Sequence, residues 1–100
     1  MIVVDTYFEI NGESFVWDAA KASKNLRKHG VSFEEAATVF FDPLFVLIDA
    51  SRREESRTAA IGFDGVGRLL FVVHIEIEEI CIRIISARRA EPAEELTYAN

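Results

Sequence analysis

Asp18-Ala19-Ala20-Lys21-Ala22-Ser23-Lys24-Asn25-Leu26-Arg27-Lys28-His29-Gly30-Val31-Ser32-Phe33-Glu34-Glu35-Ala36-Ala37 decides the fold. Asp18 has the short acceptor side chain that caps a helix start, and Gly30 supplies the left-handed residue that stops one. The first helix therefore runs to about His29. Ser32-Phe33-Glu34-Glu35 reads as a capping box, in which the Ser and the Glu three residues later satisfy each other's backbone N–H. Phe33, Ala36, Ala37 and Phe40 follow at i, i+3, i+4 and i+7, a stripe that faces a core. Asp42-Pro43 ends this second helix. The first helix differs: Ala19, Ala22 and Leu26 make only a narrow apolar stripe, while Lys21, Asn25 and Lys28 share another face. His29 falls between the two. So little apolar surface requires one side to be solvated or engaged with a partner.

Outward from the helices, the rest reads as strands. Residues 7–10 and 15–17 flank Asn11-Gly12-Glu13-Ser14, and Asn-Gly between apolar runs signals a hairpin, here with a loop of two residues or longer. After the helices come strand candidates at 44–49, 58–63, 68–75 and 79–87. They are separated by a charged loop at 50–55, the turn Asp64-Gly65-Val66-Gly67 and an acidic turn at 76–79. In the last strand, alternation places Cys81, Arg83, Ile85 and Ala87 on one face and Ile82, Ile84 and Ser86 on the other. Pro92 opens a short C-terminal helix through Tyr98. The expected fold is α+β: an antiparallel β-meander of three to five strands, two N-terminal helices and a short C-terminal helix, with the helices on one face.

Composition bounds the function. The chain has 100 residues, half of them hydrophobic and 28% charged, which suits one domain over 1–100. Eleven basic against 17 acidic residues give −6. Broad nonspecific nucleic-acid binding needs many Lys and Arg contacts and is disfavoured, although a local basic patch is not. The single Cys81 forbids an internal disulfide, and one Cys with two His cannot close a Cys/His zinc site. The first ten residues lack a signal-peptide pattern, and no apolar run approaches a membrane span, so the cytoplasm is the expected location.

Nucleotide-binding glycine motifs and Gly-x-Ser-x-Gly are absent, and the aspartates are scattered. Lys21, Lys24, Arg27 and Lys28 crowd one helix, either as a phosphate-binding face or as a solvated surface. His29 is a general acid–base candidate, or simply a cation favoured at a helix C-terminus. Arg83 interrupts the apolar run Ile80-Cys81-Ile82-Arg83-Ile84-Ile85 and needs solvent, a carboxylate or a ligand. With Arg88 and Arg89 it suits a phosphate clamp, or an internal ion pair with Glu54, Glu55 or Glu76. His74 reads as a core or sheet-surface residue, Trp17 as core, and Cys81 as a small buried residue.

The motifs Trp17-Asp18, Lys21, Asn25, Lys28-His29-Gly30-Val31-Ser32-Phe33-Glu34-Glu35-Ala36, Val39-Phe40 and Asp42-Pro43 stand in order along the chain. Ile61-Gly62, Arg68-Leu69-Leu70, Val72-Val73-His74, Arg83-Ile84-Ile85-Ser86-Ala87-Arg88-Arg89-Ala90, Glu94 and Tyr98 continue them. Together they resemble the BrnT family of bacterial toxins. The resemblance covers about 15–98 and leaves 1–14 as an N-terminal extension or hairpin. It implies a RelE-like fold and a type II toxin–antitoxin role: a metal-independent endoribonuclease that inhibits translation, without a cofactor. It also implies a BrnA-type antitoxin with a DNA-binding ribbon-helix-helix domain, and a heterotetramer of two toxins and two antitoxins, or a homodimer for the toxin alone. Motif position and chemistry nominate Lys21, His29, Arg83 and Arg88 as catalytic, and Asn25, Lys28, Arg68 and Tyr98 as RNA-binding. The tail Glu91-Pro92-Ala93-Glu94-Glu95-Leu96 is acidic where the family tends to be basic. The alternative function is therefore a catalytically silent toxin-fold module serving as antitoxin partner and co-repressor. Convergence of Arg83, Arg88, Lys21 and His29 on one open cleft discriminates the two.

Overall fold

Asn11 and Gly12 take φ of 51° and 82°, the paired positive angles of a two-residue hairpin turn whose twist matches its strands. In the computed structural model, which describes residues 2–100, they join β1 (Asp5–Ile10) to β2 (Glu13–Asp18). Next come α1 (Ala19–His29), α2 (Phe33–Ala37), a 3₁₀ turn (Thr38–Phe41), β3 (Val46–Asp49), β4 (Thr58–Phe63), β5 (Leu69–Ile77), β6 (Cys81–Arg89) and α3 (Pro92–Ala99). Strands β3 to β6 form the expected antiparallel meander. The sheet nevertheless has six strands, in the order β1-β2-β6-β5-β4-β3, and it is mixed. The hairpin joins through a short parallel pairing, Phe15 beside Ile82 and Val16 beside Arg83. This corrects the expected three to five strands and the placement of the helices first in the chain. The physical reason is the apolar side of the hairpin: Phe15 and Trp17 are fully buried and Phe8 packs on the core, which no detached extension allows.

The caps form as the sequence dictates. Asp18 accepts from Ala20 and Lys21 N–H, Gly30 closes α1 in the left-handed conformation, and the Ser32–Glu35 capping box is complete. The second helix is shorter than expected. Thr38 Oγ1 donates to Glu35 O at 2.6 Å and accepts from Gly65 N–H at 2.8 Å. The chain tightens to 3₁₀ geometry there. Phe33, Ala36, Ala37 and Val39 bury against Phe15, Trp17, Leu70, Val72, Ile84 and Ala87. Gly62 lets this layer approach closely: a Cβ there would lie 2.9 Å from Phe45 Cβ and 3.0 Å from Val39 Cγ1.

Two details of the sheet matter for function. Val73 pairs with Ser86 but His74 with Ile84, so Ile85 is an extra residue in β6, a β-bulge. Strict alternation therefore fails, and Ile84 and Ala87 both reach the core. Past the bulge, Ser86 and Arg88 share a face with Arg83, opposite Val73, Phe71 and Ile75 respectively. The helices do not all lie on one face: α3 packs on the face of Arg88 and Phe63, through Arg88–Glu94 and the Phe63–Tyr98 ring contact. Among the described residues, no helix is long and apolar enough to cross a membrane.

Candidate nucleic-acid interface

Helix α1 turns Asn25 toward the sheet beside Ala22, which packs on the core, and leaves Leu26 of its apolar stripe outside. Leu26 is 50% exposed, whereas Asn25 is buried. The cause is the edge of β6. Strand β2 covers it only at Ile82 and Arg83, so Ala87 needs other partners for its backbone. Asn25 Oδ1 accepts from Ala87 N–H at 3.1 Å, and Asn25 Nδ2 donates to Ala87 O at 2.8 Å and to Val31 O at 3.0 Å. The side-chain amide thus takes the place of a neighbouring strand. Asn25, nominated to bind RNA, is a frame residue with both amide hydrogens consumed.

That docking sets Lys21, Lys24, Lys28 and His29 around a recess of about 180 Å³ whose floor is Asn25, Ile85 and Ser86. Among the described residues, none of the ion pairs includes a lysine. Unpaired cations around a concave floor focus positive potential even in a chain of net −6. Arg83 and Arg88 stand on either side of Ser86 along β6, on the same face. Neither arginine lines the recess; each stands along β6 from Ser86, which does, and the α1 cations with these two arginines are called the cationic strip.

Both arginines are already held by carboxylates. Arg83 Nη1 and Nη2 donate to the two Asp5 oxygens at 3.2 and 2.9 Å. Arg88 donates to both Glu94 oxygens at 2.8 Å and lies 4.3 Å over the Phe71 ring. The bond from Arg83 holds the Asp5 carboxyl below the usual range, against a smaller opposing effect of burial. The bonds from Arg88 do the same for Glu94. The expected partners Glu54, Glu55 and Glu76 are not used. Asp5 lies in the 1–14 segment read from sequence as an extension or hairpin, and only the β1–β2–β6 register brings it to Arg83.

The remaining nominees sit elsewhere. Arg68 bonds Asp64 through Nε at 2.9 Å, reaches Glu35 at 3.1 Å and donates to Gly30 O at 3.1 Å. It ties the β4–β5 turn to the capping box. Tyr98 donates to Asp42 Oδ2 at 2.7 Å and stacks edge-on against Phe63. Burial would raise the Asp42 carboxyl, but bonds from Phe63 N–H, Leu44 N–H and the Tyr98 hydroxyl outweigh it and hold it low. Lys21, Lys28 and His29 are therefore brought together, with Arg83 and Arg88 alongside; Asn25, Arg68 and Tyr98 are structural ties.

His74 is buried against the Phe40 edge, with ring centroids 4.8 Å apart, and its Nδ1 lies 3.1 Å from Val72 O. Burial pushes its pKa down, and the Val72 contact and Glu76 oppose that only in part. Cys81, expected buried, is half-exposed. The sequence reading passed over Arg57. It lines a recess of about 330 Å³ with His74 and Ile75, and Ile75 is the cross-strand neighbour of Arg83. The only signal was an arginine adjoining a strand start, indistinguishable from Arg52 and Arg53 in the same loop. Among the described residues, no three His, Cys, Asp or Glu side chains gather at metal-binding distance.

A family model described as the ribonuclease toxin, BrnT, of type II toxin–antitoxin systems matches residues 17–94. No curated protein matches the chain. The matched span begins at Trp17 in β2 and ends at Glu94 in α3, so it contains the whole cationic strip.

Proposed function

The chain belongs to the BrnT family of ribonuclease toxins of type II toxin–antitoxin systems, and on that premise we propose that it cuts RNA without a metal at the strip formed by α1 and β6. The observation that carries this is the convergence of Lys21, Lys24, Lys28 and His29 over Ser86, between Arg83 and Arg88. In the reaction, the RNA 2′-oxygen attacks the adjacent phosphorus, the P–O5′ bond breaks, and the products are a 2′,3′-cyclic phosphate and a 5′-hydroxyl. A base must take the 2′ proton, an acid must protonate the leaving oxygen, and cations must stabilise the crowded phosphoryl oxygens. His29 carries the proton. Lys21 and Lys28 bind phosphate, and Arg83 and Arg88 clamp it bidentately, phosphate oxygens replacing the Asp5 and Glu94 carboxylates.

The same proposal includes a RelE-like toxin domain over 1–100 acting in the cytoplasm to inhibit translation. A BrnA-type antitoxin with a ribbon-helix-helix DNA-binding domain neutralises it in a heterotetramer. One observation favours a second role, the catalytically silent partner and co-repressor: both strip arginines are already paired with carboxylates.

The test is purified protein with total cellular RNA in EDTA. Wild type is expected to cut, and Arg83→Ala to cut roughly 10²–10³-fold more slowly at unchanged thermal stability, the usual loss for one oxyanion-stabilising donor. An Arg83→Ala variant as active as wild type overturns the site. Silence of both proteins leaves ribosome-dependent cutting or the co-repressor role and moves the weight toward the second.

A further inference from the structure

We infer that a second groove, a trough with an aromatic floor and an acidic rim, is where the antitoxin docks, through a segment that pairs basic side chains with a large apolar one. This rests on the toxin–antitoxin role proposed above. The trough has a volume of about 420 Å³. Phe40, Phe41 and Phe45 of the 3₁₀ turn and the following loop form its floor with Ile82, and Glu13, Glu76 and Glu79 stand around it. All three glutamates are exposed, and none joins an ion pair among the described residues. Ile80, on the same rim, is 71% exposed. A recess of about 330 Å³ that shares Phe41 continues the floor toward Ile10 and Phe63.

Charge complementarity chooses the occupant. Ile80 stands exposed over partly buried phenylalanines and beside unpaired carboxylates, a combination that a partner with an apolar side chain and basic groups would cover. RNA is excluded by sign, since its phosphates would meet Glu13, Glu76 and Glu79. A second copy of this chain would have to offer its α1 lysines to the acidic rim, and the proposed reaction assigns those to RNA. A protein segment presenting Lys or Arg outward and a Leu-, Phe- or Met-sized side chain inward satisfies both parts of the trough. The trough lies among β2, the 3₁₀ turn and the β5–β6 end, and shares no lining residue with the α1–β6 recess. The antitoxin can therefore hold the toxin at a place separate from the RNA-binding lysines.

The experiment uses the full chain and its cognate antitoxin, with affinity measured by calorimetry at low and high salt. The variants are Glu13→Lys with Glu79→Lys, and separately Ile80→Ser; none of these residues belongs to the catalytic strip. The expected result is weakening of antitoxin binding by roughly tenfold or more at low salt for the charge reversal, shrinking as salt rises. Ile80→Ser weakens it independently of salt. RNA cleavage by either variant alone stays at the wild-type rate. Unchanged affinity in both variants, with wild type binding normally, overturns the docking site and leaves the toxin–antitoxin role intact. Wild type that binds no antitoxin overturns both. Weakened self-association of the toxin alone, with antitoxin affinity unchanged, assigns the trough to a second copy and overturns the proposal.

Discussion

The two grooves of this molecule are opposite in charge and in construction. The recess between α1 and β6 is ringed by cations and held by hydrogen bonds: one buried amide, Asn25, takes up the N–H and C=O of Ala87. The trough under the 3₁₀ turn is rimmed by carboxylates and built from tilted and edge-on rings, with Phe40 5.6 Å from Phe15 and 5.7 Å from Phe45. Net charge conceals this sorting. A surplus of six negative charges coexists with a positive recess because the lysines sit together on one helix. A binding surface is set by the local arrangement of charge, and the average reports mainly on solubility and long-range steering.

The sharpest way to break the comparison is to reverse the sign of one groove only. Lys21→Glu with Lys28→Glu is expected to lower RNA cleavage by roughly 10³-fold, as losing phosphate-stabilising contacts does. Antitoxin affinity should stay within a few-fold of wild type. Parallel kinetics and calorimetry decide; equal losses in both would mean that the grooves are one surface.

Asn25→Ala probes construction instead of charge. It leaves Ala87 N–H and C=O buried without partners, at about 1–3 kcal/mol for each group, so a loss of roughly 2–6 kcal/mol in urea unfolding is expected. The recess should open while the trough keeps its antitoxin affinity. A loss below about 0.5 kcal/mol would show that water replaces the amide and that α1 is docked by something else.

Much of this architecture is legible in sequence, and what is not has identifiable causes. Asp18, Gly30 and the Ser32–Glu35 box place both helix starts because caps are local chemistry. Strand β4 falls on 58–63 as read, since its apolar run ends at the Asp64-Gly65-Val66-Gly67 turn. The parallel β2–β6 pairing was invisible because it joins residues about 67 positions apart through two matched pairs. The helical wheel correctly grouped Lys21, Asn25 and Lys28, but the rule that apolar faces turn inward misassigned Leu26. A helix packed on a bare strand edge supplies hydrogen bonds first. The Ile85 bulge and the Asp5–Arg83 pair had no local signature either. The site residues adjacent on α1 could be grouped from sequence, whereas Arg68 and Tyr98 were drawn in by residue type and proved to be ties.

The smallest expected effect concerns acid. The recess side depends on ionised carboxylates, because Glu94 anchors α3 to Arg88; the trough floor depends on phenylalanine packing in which no carboxylate takes part, with His74 behind Phe40. Glu94 is held below its ordinary value of 4.5, chiefly by the bonds from Arg88 and against the opposing effect of burial. A carboxyl lowered in the folded state adds stability that is fully present above its unfolded value and is lost as pH falls through its folded value. The Glu94 share of stability is therefore expected to be flat from neutrality to about pH 5 and to decline below the 4.5 reference; buried His74, whose pKa is lowered, adds a loss below its ordinary 6.5 that wild type and variant share. The pair is partly exposed, with 30% and 16% of the two side chains accessible, so its share is about 1 kcal/mol or less after solvent screening. Urea unfolding of wild type and Glu94→Gln at neutral pH and at pH 3 isolates that share. The variant should be less stable at neutrality and converge on wild type in acid, with α3 the first segment to lose hydrogen-exchange protection. A stability gap that persists unchanged in acid would mean that Glu94 contributes by packing, and the contrast between a recess held by an ionised carboxylate and a trough floor without one would fail at its basic side.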